Sequence, residues 1–194
     1  MIEKITDRKI YDLVDEWYIR PIGLTEVEKT DRIDVPGLIP GYAGDDGVMG
    51  IKGKTVVDGK SIYNLQFEWT GGGYASSGRD LAKWSKYLYE WNAFNPKMKD
   101  EFLKTTEKSI ERMRRGYGLG VFVFTLPRIN TQAIGHSGFM PGYNTEMFYL
   151  PEYKTAFAFI INSSDPKYRR DFYGHLLAIV DSTIKFLKKN GIGG

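Results

Sequence analysis

Hydrophobic and polar positions change their period about two-thirds of the way along the chain. Val121-Phe122-Val123-Phe124, Asn130 to Gly138, Asn144 to Leu150 and Thr155 to Asn162 are rich in β-branched and aromatic residues and predict four strands. Pro127 and Asn130, the run Met140-Pro141-Gly142-Tyr143 and Pro151-Glu152-Tyr153-Lys154 separate them, and connections this short suit an antiparallel meander. From about Lys167 to Lys189 the spacing becomes helical. Phe172, Leu176, Ile179, Val180 and Leu187 fall on one side, lysines gather where a helix's carboxyl end favours cations, and Gly191, Gly193 and Gly194 end the run. A sheet with an apolar face needs a cover, and this helix is the natural one.

The front of the chain reads differently. Ile10, Leu13, Val14 and Trp17 recur at helical spacing after Thr6 and Asp7, either of which can cap a first turn, and Pro21 and Gly23 close that helix. Met1 to Ile5 reads as the tail of a preceding helix. From Gly23 to about Asn64 no helical period survives, so loops are expected, with Asp58-Gly59 as the turn of one small hairpin. After Gly71-Gly72-Gly73, Ser77 can cap a helix and Asp80 can complete the capping box; Leu81, Trp84, Leu88 and Trp91 share a face of it. No Lys-Ser or Lys-Thr pair follows the triple glycine, so it is not a phosphate loop. A second helical stretch runs roughly from Lys97 to Arg114 and ends in Gly116-Tyr117-Gly118-Leu119-Gly120. The pattern predicts an α+β fold: an antiparallel sheet of about four strands covered by a C-terminal helix, beside a small helical and loop lobe. Residues 1–194 read as a single domain, mainly helical and loop over 1–115 and sheet plus helix over 116–194.

Composition narrows the chemistry. At 194 residues and 42% hydrophobic content the chain can bury a sizeable core without staples. It has no cysteine, which excludes disulfides, a thiol nucleophile and thiolate metal ligands. With His136 and His175 as its two histidines, neither a metal centre nor a cofactor site is expected. The net charge of +3 comes from interspersed basic and acidic residues, so Arg112 to Arg115 and Lys185 to Lys189 read as solvated faces and no nucleic-acid partner is expected. No apolar run is long enough for a membrane span or an export signal, and the cellular compartment stays open.

The polar triplet His136-Ser137-Gly138, carried on a strand into the turn Met140-Pro141-Gly142-Tyr143, is the main candidate site. Neighbouring side chains on a strand point to opposite faces, which argues against a self-contained esterase pairing Ser137 with His136. Ser76 and Ser77 read as helix-capping groups, and His175 as structural or solvent-facing.

In their order along the chain, Arg20-Pro21-Ile22-Gly23-Leu24, Gly41-Tyr42, Gly72 to Ser77 with Arg79-Asp80-Leu81-Ala82, Gly116 to Gly120, His136-Ser137-Gly138 and Met140 to Tyr143 resemble the serine β-lactamase-related family. That family includes class C β-lactamases, penicillin-binding D-alanyl-D-alanine carboxypeptidases, D-aminopeptidases and certain esterases. The chain resembles its carboxyl-terminal portion, which implies a partial β-lactamase/transpeptidase-like fold and an incomplete domain. By this resemblance His136 contributes a proton or hydrogen bond, Ser137 binds a substrate carboxylate, Gly138 leaves room for the substrate, the Phe139 amide is an oxyanion donor and Tyr143 belongs to the substrate-binding turn.

Family members place Ser-Xaa-Xaa-Lys and Tyr-Xaa-Asn ahead of that strand, and neither is found there in this chain. Ser182-Thr183-Ile184-Lys185 matches the first pattern literally but follows the strand, and Lys185 reads as a charge on the helix's exposed side. The expectation is a serine hydrolase architecture for an amide, lactam or ester, inactive alone. The alternative is a noncatalytic domain binding a peptide, a β-lactam or another protein. A missing N-terminal fragment or self-association would be its partner, with Trp69, Trp84 and Trp91 as candidates for the apolar contact surface.

Overall fold

Two short helices open the chain, α1 (Ile2–Thr6) and α2 (Ile10–Val14), in a computed structural model that describes residues 1–45, 47–126 and 128–192. Neither Thr6 nor Asp7 caps α2. The Ile10 amide instead donates to Glu3 Oε1 at 2.8 Å, and Thr6 Oγ1 bonds back to the Ile2 carbonyl. Helical backbone continues through a wide turn, Asp15–Ile19, into α3 (Arg20–Ile22), and ends at Gly23 with φ 72°. Pro21 has no amide to donate and its ring crowds the carbonyl four residues back; a widened coil relieves both problems.

The loop region is held by three small antiparallel pairs. They involve β1 (Val27–Lys29), β2 (Tyr42–Ala43), β3 (Gly53–Lys54), β4 (Val56–Val57), β5 (Lys60–Ser61) and β6 (Tyr74–Ser76), paired as β1 with β6, β2 with β3 and β4 with β5. In the β4–β5 hairpin Asp58 and Gly59 both take positive φ, 49° and 74°, as a two-residue primed turn requires. Ser77 then caps α4 (Gly78–Tyr89), its hydroxyl accepting from the Asp80 amide at 3.2 Å. Asp80 does not close the capping box: its carboxylate accepts from the Glu26 amide at 2.7 Å and from Lys83 Nζ at 2.9 Å. Trp91 lies beyond the end of α4, packed edge-on against Phe94 and Phe102, while Trp84 packs against Tyr18 and Tyr87 and Trp69 is exposed. The expected single helix over 97–114 is two, α5 (Lys99–Leu103) and α6 (Glu107–Met113), because Thr106 takes an extended backbone and caps the second through the Ser109 amide.

The sheet has one strand more than the pattern indicated. β7 (Gly116–Tyr117), β8 (Phe122–Leu126), β9 (Thr131–Met140), β10 (Tyr143–Leu150) and β11 (Thr155–Ile161) pair antiparallel in chain order, and the extra member is the two-residue β7. Pro127, and the Gly193 and Gly194 expected to end the last helix, lie outside the described residues. That helix, α7 (Pro166–Lys189), starts where the Asp165 carboxylate accepts from the Lys167 amide.

Both faces of the sheet are covered. On one, Leu126, Ala133, Phe148, Leu150 and Phe157 pack against Leu176, Val180 and Ile184 of α7. On the other, Val121, Ile134 and Tyr149 pack with Tyr89 of α4, with Trp91 and Phe102 at the margin. Each fully buried Leu, Ile or Phe contributes about 2 kcal/mol through surface removed from water. β9, in the centre, is therefore fixed from both sides.

Candidate active-site strand

β9 and β10 meet in a turn of two residues, with Met140 paired to Tyr143. Pro141 suits the first turn position and Gly142, at φ 92°, supplies the positive angle needed at the second. The loop region grips this turn. Tyr63 donates its hydroxyl to the Pro141 carbonyl at 3.0 Å, the Tyr42 amide donates to the Gly142 carbonyl, and the Gly142 amide donates to Ser164 Oγ at 2.8 Å. Tyr143 donates to the Ile39 carbonyl at 2.5 Å, and Asn144 Nδ2 to the Ser163 carbonyl at 2.7 Å. Burial pushes the Tyr63 and Tyr143 phenols above their ordinary range, so both act here as neutral donors.

His136 lies opposite Met147 in the ladder, and its ring reaches Tyr117 and Phe122, with ring centres 5.7 and 5.0 Å away. Nδ1 is 2.6 Å from the Ser137 carbonyl oxygen, which can only accept; Nδ1 therefore carries the proton. In the neutral imidazole Nε2 is then an acceptor, and it lies 3.0 Å from the Tyr117 hydroxyl, which donates to it. Sequence reasoning placed Tyr117 only within a glycine-rich segment. The signal it lacked is the β7–β8–β9 adjacency that brings residue 117 to residue 136.

The Ser137 side chain is not brought together with the His136 ring, which touches Ser137 only at its backbone carbonyl. Ser137 pairs with Glu146 on the α7 face of the sheet, beside a buried carboxylate. Gly138 pairs with Thr145, whose Oγ1 would lie only 2.3 Å from a β-carbon added at 138. The space expected for a substrate at this glycine is thus filled by a neighbouring strand's side chain. Phe139 is 47% exposed at the rim, opposite Asn144.

Two serine–lysine pairs carry the Ser-Xaa-Xaa-Lys spacing. Ser182 is exposed on α7, and Lys185 Nζ lies 2.7 Å from Asp181. The other, Ser164-Asp165-Pro166-Lys167, was overlooked in the sequence. Ser164 holds the Gly142 amide and Lys167 pairs with Asp165 at 2.9 Å. His175 is exposed, with Nδ1 against the Asp171 carbonyl of its own helix. Among the described residues no group of three or more His, Asp or Glu side chains is arranged to hold a metal ion, and no helix is long and apolar enough to cross a membrane.

A family model described as Beta-lactamase matches residues 1–179. The match takes in the helix-and-loop half as well as the sheet, which corrects the expectation that the likeness is confined to a carboxyl-terminal portion of the family. The packing agrees with this, since Tyr63 and the Ile39 carbonyl in the first half bond to the β9–β10 hairpin in the second. Among curated proteins, none matches the chain. Among solved structures, a D-stereospecific amidohydrolase from Streptomyces sp. is 22% identical with a TM-score of 0.69, over 84% of this chain and 46% of that one. The D-amino acid amidase from Ochrobactrum anthropi SV3, complexed with D-phenylalanine, is 17% identical with a TM-score of 0.70, over 93% and 57%. The octameric penicillin-binding protein homologue from Pyrococcus abyssi is 20% identical with a TM-score of 0.55, over 92% and 39%. At these identities the likeness is one of fold, and this chain spans about half the length of the first two.

Proposed function

This chain belongs to the beta-lactamase family, and we propose that β9 and its hairpin form the strand wall of a serine-hydrolase-type cleft for an amide, lactam or ester, in a chain that by itself turns over little or nothing. In such a cleft a serine attacks the carbonyl, an acyl-enzyme forms, and a fixed amide stabilises the oxyanion; one such donor contributes about 3 kcal/mol to the transition state. In this reading the Phe139 amide is that donor and Ser137 and Tyr143 are substrate contacts, Tyr143 through its ring because its hydroxyl is held by Ile39. His136 and Gly138 complete the strand.

The observation behind the low turnover is the fate of the serine–lysine pairs. Ser164 is occupied by the Gly142 amide, and Lys185 and Lys167 are occupied by aspartates. A lysine held as an ion pair is a poor acceptor for a serine proton. Amides of D-amino acids are the first ligands to try, since two structural relatives are a D-stereospecific amidohydrolase and a D-amino acid amidase. A second reading, binding without cleavage, is favoured by His136, whose two ring nitrogens are both engaged within the protein. In that reading a peptide, a lactam or a partner chain is held, or the chain self-associates.

The test is acylation. The chain is exposed to a β-lactam and to a reactive phosphonate ester beside a competent family member, followed by intact-mass measurement and peptide mapping. No stoichiometric adduct is expected; one mapped to Ser137, Ser164 or Ser182 would sink the proposal.

A further inference from the structure

Among the described residues two carboxylates are almost fully buried, Asp80 and Glu146, and their surroundings differ. Asp80 has Lys83 and the Glu26 amide. Glu146, 4% exposed, accepts from the Tyr173 hydroxyl at 2.5 Å, and among the described residues no lysine or arginine forms an ion pair with it. A carboxylate offers about four acceptor positions, and removing its charge from water is expensive unless a donor or cation fills them. Glu146 lines a cavity of about 500 Å³ whose other walls include Phe124, Phe148 and Leu177. Arg114 and Arg115 also line it, but neither forms an ion pair with Glu146, and the Arg115 guanidinium lies against the Phe124 ring, 4.6 Å from the centre.

We propose that this cavity binds a small ligand bearing an ammonium group on an aromatic or aliphatic body. The ammonium meets Glu146, whose remaining acceptor positions suit its three donors, and the body lies against Phe124 and Phe148. The cavity's size fits a ligand of this class. Among the described residues none of the cavity's walls belongs to β9 itself, and the site does not depend on acyl transfer.

The test is an NMR titration of the whole chain at fixed ionic strength with 2-phenylethylamine, 2-phenylethanol and 3-phenylpropionate. The amine is expected to bind saturably, shifting the amides of Phe124, Phe148 and Tyr173, at least tenfold more tightly than the alcohol. Glu146→Gln, checked for folding by thermal melting, is expected to lower amine affinity at least tenfold and leave the alcohol unaffected. Leu177→Trp, which fills the cavity without touching the carboxylate, is expected to abolish binding of both. The inference fails if the anion binds as well as the amine, if no probe binds saturably, or if either variant keeps the amine's affinity.

Discussion

The start of α4 and the end of β9 carry similar residues, glycines beside serine and a titratable side chain, and use them in opposite ways. At the start of α4 the serine and the carboxylate are both consumed by the fold. Ser77 accepts from the Asp80 amide and donates to Glu26, while Asp80 binds the Glu26 amide and Lys83. At the end of β9 the turn is clamped as firmly, but the triplet ahead of it is divided: His136 goes to Tyr117, Ser137 faces Glu146, and Phe139 remains at the surface. A cluster of polar residues is therefore no mark of a site by itself. What distinguishes β9 is a rigid turn that holds an accessible strand end beside groups the fold has not exhausted.

The largest effect that would sharpen this contrast is expected at Asp80. Asp80→Ala strands the Glu26 amide and removes the partner of Lys83, and should cost about 3 kcal/mol in urea unfolding. Burial alone would raise the Asp80 carboxyl, but Lys83 and the Glu26 amide outweigh it and hold the group below the ordinary aspartate range. Its contribution is thus present above the unfolded pKa, about 3.9, and is lost as pH falls through the lower native value. The variant should therefore show a flatter acid limb than the parent, and an unchanged limb would break the assignment.

A smaller cost, about 1–3 kcal/mol, is expected for Gly138→Ala, because the added carbon meets Thr145 Oγ1. Adding Thr145→Ala should restore most of the stability. If it does not, the glycine serves something other than strand packing. The smallest effect, about 1 kcal/mol, is expected for Tyr117→Phe, which removes one hydrogen bond. Its sharper readout is the nitrogen NMR spectrum of His136, where the Nε2 resonance should move. A stationary Nε2 would dissolve the Tyr117–His136 pair and leave the two regions more alike than described.

Much of the fold was legible because it is local. The β4–β5 turn follows from Asp58-Gly59, and β8 to β11 and α7 appear within a few residues of their predicted limits, since alternation and helical period survive whatever packs above them. The break between α5 and α6 was not, because a pattern of apolar spacing does not register a β-branched residue that turns into a cap. Ser164-Asp165-Pro166-Lys167 was missed because it straddles the loop after β11 and the first residues of α7 instead of lying along one helix. The candidate triplet was readable as a segment, but Tyr117 and Glu146, which decide what its side chains face, are 19 and 9 residues away from His136 and Ser137.

By itself the sequence determined the α+β class, the order of the strands along the chain, the helix that covers one face, and the strand that carries the His-Ser-Gly triplet. These depend on periodicity, turn chemistry and motif, all written in neighbouring residues. Only the tertiary structure decided that α4 covers the second face, that the loop region clamps the hairpin, that His136 accepts from Tyr117, and that Ser137 lies beside a buried carboxylate at the edge of a cavity. Each of those depends on which strand lies next to which, a choice made by long-range packing that no local pattern encodes.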